Sequence, residues 1–134
     1  MAALSQPTPQ TVARRERSLK MALAAANMAE DNKGLNVVIL DLQEQTPIFD
    51  YFVIATGSSQ RQLRAMSDAI EEMLSADFEQ VKLSREGYET SNWIVLDFGP
   101  IVVHLFDEPG REYYRLEDLW AAAGRVEREA ARRE

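Results

Sequence analysis

The segment from Asn92 to Phe106, NWIVLDFGPIVVHLF, constrains the fold more than any other part of the sequence. It contains two β-branched, apolar runs that only Gly99 and Pro100 separate, and such a spacing is typical of a β-hairpin. Because side chains alternate between the faces of a strand, a two-residue turn predicts which residues share a face. One face is wholly apolar and is predicted to be core: Ile94, Leu96, Phe98, Ile101, Val103 and Leu105.

The opposite face of this predicted hairpin is mixed in character. It combines apolar and aromatic side chains with one carboxylate and one imidazole: Trp93, Val95, Asp97, Val102, His104 and Phe106. Tryptophan is the residue type that most often dominates a protein–protein interface. We therefore expect this face to meet a partner, although a tryptophan packed beneath a closing helix would give the same pattern.

The rest of the chain supplies alternating helical and strand patterns. LNVVILDL and YFVIAT are typical of buried strands and VKL of a short one, whereas REGYETSN indicates a polar loop. Helices are predicted from about Thr11, Ser59 and Gly110, the last with Tyr113, Leu116, Leu119 and Trp120 on one stripe. The order αββαβββα predicts an α/β fold, a single domain with a mixed β-sheet of about five strands flanked by helices.

The 134 residues are enough for one core, and the ends differ from the middle. We predict a flexible leader over residues 1–10, a domain over 11–122 and a charged tail over 123–134. Between Met21 and Gly124 there are 18 acidic and 7 basic residues, a net charge of −11. Such a domain repels phosphate, which argues against direct RNA contact and for a neutral or basic protein partner.

Composition also bears on compartment and cofactors. The sequence has no cysteine, which excludes disulfides and thiolate metal sites. No apolar run approaches the roughly 18 to 20 residues that a membrane-spanning helix needs. No membrane attachment and no cofactor are expected, and a cytoplasmic, bacterial location is the default, with an organelle stroma or matrix if the source is eukaryotic.

Catalytic patterns are weak in this sequence. His104 is the single histidine and lies within an apolar strand, which favours a structural, hydrogen-bonded role over a catalytic one. Gly57-Ser58 between a strand and a helix resembles the turn with which nucleotidyltransferases hold phosphates. Those enzymes also need paired carboxylates on a strand for magnesium, whereas no predicted strand here carries such a pair and Asp97 stands singly in its strand. A capped helix after a glycine turn explains the same residues, so we do not predict an enzyme.

Two blocks of the chain resemble one protein family. DYFVIATGSSQRQL, from Asp50 to Leu63, is similar to the first signature of the Iojap or ribosomal silencing factor family, and WIVLDFGPIVVHLFDEPGREYYRLEDLW, from Trp93 to Trp120, to the second. The match runs from about Leu35 to Trp120. Pro100 departs from the family, which often has an acidic residue at this turn.

The resemblance implies a fold, a partner and a mode of action. The implied fold is akin to nucleotidyltransferases without their catalytic carboxylates. The implied action is binding to the large ribosomal subunit through large-subunit ribosomal protein fourteen, which blocks association with the small subunit and represses translation. It also implies homodimers. A nucleotidyltransferase-like enzyme that uses the Gly57-Ser58 turn and a generic dimeric scaffold are the alternatives.

The expected partner-binding residues lie mainly on the second block. They are Trp93, Asp97, Phe98, Gly99, Pro100, His104 and Tyr114. Three of these assignments have alternatives: Asp97 serves equally to fix the adjacent turn, Phe98 belongs to the core by the face assignment, and Tyr113 competes with Tyr114 for the exposed position. Replacing Trp93 by Ala is expected to weaken binding and to change stability much less.

Overall fold

The chain forms a six-stranded mixed sheet flanked by helices, seen in a computed structural model that describes residues 8–89 and 92–127. The elements follow one another as α1 (Pro9–Asp31), β1 (Leu35–Asp41), β2 (Tyr51–Gly57), α2 (Gln60–Phe78), β3 (Ser84–Glu86), β4 (Trp93–Asp97), β5 (Ile101–Asp107), α3 (Glu108–Tyr114), α4 (Leu116–Leu119) and β6 (Gly124–Arg125). The predicted single α/β domain with a mixed sheet is confirmed.

The strands lie in the order β3-β4-β5-β2-β1-β6. The central neighbours β2 and β5 pair in parallel, and the four other pairs are antiparallel. Both central strands are buried on both faces, β2 over its whole length and β5 over all but its last residue. Continuous apolar runs are typical of strands covered on both sides, which explains YFVIAT and IVVHLF.

The predicted hairpin is present with the predicted register. Phe98 N donates to Ile101 O at 3.0 Å across a turn of Gly99 and Pro100. Gly99 has φ of +96°, a conformation that glycine adopts without steric strain. All six residues of the predicted core face belong to the larger core cluster. Phe98 is 1% exposed, so the structure assigns it to the core.

Helices of different length cover the two faces of the sheet. The first face packs on α1 and α2, through the alanines of α1 and the larger apolar residues of α2: Ala22, Ala25, Ala26, Ala29, Leu63, Met66, Ile70 and Leu74. The second face carries Phe52, Val102 and Phe106 and is covered by Leu116 of α4 and by Leu42. Because α3 and α4 are short, this second face leaves aromatic side chains at the surface.

The closing helix is not continuous, and its predicted stripe is wrong. Arg115 has φ of +46° and separates α3 from α4. The Arg111 guanidinium pairs with the carboxylate of Glu117 at 2.7 Å, which ties α4 to α3. Leu116 is therefore buried, whereas Leu119 is 76% exposed.

Three boundaries differ from the sequence-based expectation. The third strand is Ser84–Glu86, which overlaps the start of the predicted loop, and not VKL. Helix α1 begins at Pro9 because the Thr8 hydroxyl accepts a hydrogen bond from Thr11 N, so only residues 1–7 of the predicted leader lie outside the described residues. Strand β6 pairs with β1 within the predicted tail, so the fold extends past residue 122, while residues 128–134 lie outside the described part.

Candidate interaction surface

Four aromatic rings contact one another in series on the second face of the sheet, from the core to the solvent. We call them the aromatic ladder: Phe106, Trp93, Tyr114 and Tyr113. The ring centroids lie 5.0 Å apart for Phe106 and Trp93, 4.6 Å for Trp93 and Tyr114, and 4.9 Å for Tyr114 and Tyr113. Exposure rises from 0% at Phe106 through a half-buried Trp93 to 40% at Tyr114 and 80% at Tyr113.

The sheet register builds the first half of the ladder. Trp93 at the start of β4 pairs directly with Phe106 near the end of β5, and their side chains stack on one face. Cross-strand aromatic pairs of this kind stabilise antiparallel sheets. The hairpin therefore places the indole at the end of the sheet where α3 begins.

Helix α3 places the two tyrosines against that indole. Its N-cap Asp107 accepts a hydrogen bond from Gly110 N at 2.7 Å. A side chain at Gly110 would meet Asn92 O at 2.8 Å, so the glycine lets the helix approach the residue before Trp93. Arg111 also donates to the Thr56 hydroxyl at 2.7 Å, which ties α3 to β2. Contacts with β2, with the end of β5 and with the residue before β4 thus fix the position of α3 and of its tyrosines.

His104 lies behind the ladder, 5% exposed. Its Nδ1 accepts a hydrogen bond from the Trp93 indole N–H at 3.1 Å, and its ring packs edge-on to Phe52 at 4.5 Å. Burial lowers the pKa of His104 from 6.5 to about 3, so the imidazole is neutral at ordinary pH. The expected hydrogen-bonded histidine is present, and it cannot touch a partner without a rearrangement.

The other expected site residues lie at the far end of the hairpin. Asp97 accepts a hydrogen bond from Gly99 N at 2.8 Å and so fixes the turn. Pro100 O accepts from Asp50 N at 2.8 Å, and Gly99 and Pro100 are half-buried. The structure therefore brings together Trp93, His104 and Tyr114 but not Asp97, Phe98, Gly99 and Pro100.

Tyr113 is a surface residue that the sequence reasoning left out of the site. The adjacent tyrosines were expected to divide into one core and one free residue, yet both are exposed. Tyr113 packs against Tyr114 and lies beside Glu112, which is also exposed. The sequence signal for its exposure is the Glu-Tyr-Tyr run at the end of a short helix. Helix α3 has seven residues and is buried at Gly110, so its last turn lies in solvent.

The Gly57-Ser58 turn is engaged within the protein. Ser58 N donates to the side chain of Gln62, and a side chain at Gly57 would meet Leu63 at 2.8 Å. Asp107, which pairs with Gly57, uses its carboxylate to cap α3. These contacts favour the structural interpretation of the turn over phosphate binding.

No three His, Asp or Glu side chains in ranges 8–89 and 92–127 gather closely enough to hold a metal ion. Within the same ranges, no helix has the length and apolar character needed to cross a membrane.

Comparison with known proteins identifies the family of this chain. The family model described as ribosomal silencing factor during starvation matches residues 15–134. The chain belongs to this family. The ladder and the hairpin that carries it are therefore features of a member of the ribosomal silencing factor family.

Individual members of the family are similar to this chain in sequence and in structure over most of its length. A ribosomal silencing factor from Halalkalibacterium halodurans is 37% identical over 106 residues, 78% of this chain and 89% of that protein. The crystal structure of a Chromobacterium violaceum protein superposes with a TM-score of 0.70 at 31% identity, covering 87% of this chain and 92% of that one. A mouse relative, 34% identical over 98 residues, is named mitochondrial assembly of ribosomal large subunit protein 1, and the match covers 70% of this chain and 42% of the mouse protein.

Proposed function

We propose that this silencing factor binds the large ribosomal subunit through large-subunit ribosomal protein fourteen and prevents the small subunit from joining. Family membership and the name of the mouse relative support a role at the large subunit. The observation that carries the proposal is the aromatic ladder, which projects partly exposed rings from a rigid sheet. Blocking two subunits requires bulk at their interface and no chemistry, so the protein is not expected to be an enzyme.

The charge of the domain supports a protein partner over bare RNA. The net charge of −11 between Met21 and Gly124 repels phosphate, whereas ribosomal proteins are generally basic. Close to the ladder, Glu108 and Glu112 are exposed on α3. Complementary charge raises the association rate and suppresses wrong partners more than it raises affinity.

Within this surface, we propose Trp93, Tyr114 and Tyr113 as the contact residues. Aromatic anchors surrounded by weaker contacts dominate many interfaces. The Gly99–Pro100 turn is a second candidate contact at the other end of β4. A typical interface of about 800 Å² on each partner is wide enough to reach beyond one hairpin end. Asp97, which fixes this turn, would then act by shaping it.

The test is co-sedimentation with isolated large ribosomal subunits of the source organism, followed by a subunit-joining assay. Replacing Trp93 by Ala is expected to weaken binding about thirtyfold, since a hot-spot residue contributes about 2 kcal/mol. Val12→Ala is the matched control, because Val12 is 43% exposed and lies on α1, which covers the other face of the sheet. Wild-type binding by Trp93→Ala and Tyr114→Ala alike would remove the ladder from the site.

The structure changes one expectation about the Trp93 variant. Because the indole stacks on Phe106 and donates to His104, truncation also removes internal packing. Binding must therefore be compared at a temperature at which each variant is fully folded. The homodimer implied by the family resemblance is tested in the same preparations by sedimentation equilibrium.

The enzymatic alternative has its own test. Calorimetry with a nucleoside triphosphate and magnesium would detect the binding that a nucleotidyltransferase requires. We expect no heat of binding, since Gln62 and Leu63 occupy the space around the Gly57-Ser58 turn. Saturable binding that a Ser58→Ala substitution abolishes would favour the enzyme.

A further inference from the structure

We propose that His104 is a positioning residue for the interaction surface: it orients the Trp93 indole through Nδ1 and thereby makes the indole an apolar contact for the partner. The inference rests on the proposed function, because it concerns how the same surface recognises its partner. It assigns His104 an indirect role in place of the direct contact expected from the sequence.

The geometry of the pair supports an orienting role. Trp93 of β4 pairs with Phe106 of β5, and His104 lies two residues before Phe106 on the same face of β5. The side chains of Trp93 and His104 are therefore diagonal neighbours. The indole N–H reaches Nδ1 at 3.1 Å, a normal hydrogen-bond length. Phe106 stacks on the indole and so restricts its plane, Tyr114 packs against it at a tilt, and the hydrogen bond to His104 restricts its rotation within that plane.

Within the part of the chain that the structure describes, the imidazole of His104 also leaves a buried polar atom without a partner. When Nδ1 accepts, the neutral ring carries its proton on Nε2. That nitrogen is buried and has no hydrogen-bond partner among the described residues. An apolar side chain of similar size would avoid an unpaired donor, so packing alone does not require a histidine here. What an apolar side chain cannot supply is an acceptor for the indole N–H.

The arrangement has a consequence for the partner. The only hydrogen-bond donor of the indole is used inside the protein, so the half-buried ring can offer its partner only carbon atoms and its π-face. We therefore expect the partner to present an aliphatic stem or an apolar ring to Trp93, with any hydrogen bonds made elsewhere on the surface. Tyr113 and Tyr114 carry hydroxyl groups that can supply them.

The experiment compares three substitutions of His104 that differ in their acceptors. His104→Leu removes the acceptor. His104→Asn keeps an acceptor at about the position of Nδ1, and His104→Gln moves it towards the position of Nε2. Affinity for isolated large ribosomal subunits is measured for each variant, with Trp93→Ala alongside. The indole N–H resonance of Trp93 in a ¹H–¹⁵N spectrum reports the hydrogen bond itself, and Trp120→Phe distinguishes it from the other indole.

We expect His104→Leu to remain as stable as the wild type or to become more stable. It should shift the Trp93 indole resonance, speed its exchange with water and weaken binding by about three- to tenfold, the range that one hydrogen bond is worth. His104→Asn should restore both the resonance and the affinity to within about twofold. A gain in stability with a loss of binding is not expected of a purely structural residue.

The outcomes separate this inference from the proposed function. If Trp93→Ala loses affinity but His104→Leu does not, the positioning role is wrong and the surface stands. If Trp93→Ala and Tyr114→Ala both bind like the wild type, the surface itself is wrong. If His104→Leu fails to fold, the comparison of His104→Asn with His104→Gln tests the positioning role. Equal affinities of these two variants for the large subunit would overturn the role of Nδ1.

Discussion

Ser18, in the middle of α1, donates a hydrogen bond of 2.8 Å to the carboxylate of Asp50, the residue immediately before β2. Arg14 binds the other carboxylate oxygen at 3.1 Å, and Asp50 N in turn donates to Pro100 O. Ser18 and Asp50 are buried. Asp50 thus joins the first helix, which its carboxylate binds, to the turn of the β4–β5 hairpin, which its backbone N–H binds.

We predict that Asp50→Ala lowers the free energy of unfolding by about 2 kcal/mol, since a buried hydrogen bond to a charged group is lost. Arg14→Ala is the control and should cost less than about 1 kcal/mol, because 55% of the Arg14 side chain is exposed. Urea unfolding measures both. Equal effects of the two substitutions would mean that the ion pair, and not the Ser18 contact, stabilises this junction.

Tyr113 provides the cleanest separation of binding from stability. Its side chain is 80% exposed and contacts Tyr114, so Tyr113→Ala should change the free energy of unfolding by less than about 0.5 kcal/mol. If the ladder meets the ribosome, the same change should weaken co-sedimentation with large subunits by about fivefold or more. Leu119→Ala, which removes another exposed apolar side chain, serves as the comparison. A loss of the same size in both variants would indicate general stickiness.

The burial of His104 predicts how stability depends on pH. Its pKa is about 3 in the folded protein and 6.5 in the unfolded chain, so the unfolded chain binds the extra proton first. The contribution of the buried neutral imidazole to the free energy of unfolding is fully present above about pH 6.5. It is lost as pH falls towards 3, at about 1.4 kcal/mol for each pH unit. Unfolding free energies measured between pH 7 and 4 should therefore fall less steeply in His104→Leu than in the wild type. Parallel curves for the two proteins would contradict the buried, neutral imidazole.

Gly110 is predicted to tolerate no side chain. A Cβ atom there would lie 2.8 Å from Asn92 O and 2.9 Å from Asp107 Oδ1, so Gly110→Ala must displace α3 or the residue before Trp93. We expect a loss of about 1 to 3 kcal/mol of stability and a shifted Trp93 indole resonance. Gly124→Ala is the matched control, since nothing lies within 4 Å of a side chain at that position. An unchanged indole resonance in Gly110→Ala would show that α3 adjusts independently of the ladder.

The sequence predicted the parts of the fold that local pattern determines. The two-residue turn fixed the hairpin register, and with it the core face that includes Ile94 and Phe98. It could not show that β5 lies next to β2, because parallel pairing depends on residues far apart in the chain. Phe52 of this second neighbour packs against His104 on the face that had been expected to meet a partner, and Leu42 and Leu116 belong to the same buried cluster as Phe106.

Short elements were the other limit. Residues 84–86 form a strand because Leu83 N and the following residues meet the edge of β4, and not because their own composition favours it. An ion pair between Arg111 and Glu117 likewise spans the break at Arg115, and the helical spacing could not reveal these two partners. The interaction surface was accordingly predicted in part: Trp93 and Tyr114 meet, while the residues of the turn lie at the other end of β4.

The parallel pairing at the centre of the sheet also determines when this protein can complete its folding during synthesis. Each residue of β2 pairs with the residue fifty positions later, from Tyr51 with Ile101 to Gly57 with Asp107. Contacts at such separation slow folding, because a long loop must close before they form. A chain emerging from a ribosome cannot complete its core until β5 is outside the exit tunnel. Until then YFVIAT remains an apolar strand without its neighbour, so premature truncation before Ile101 should yield an aggregating fragment and not a smaller domain.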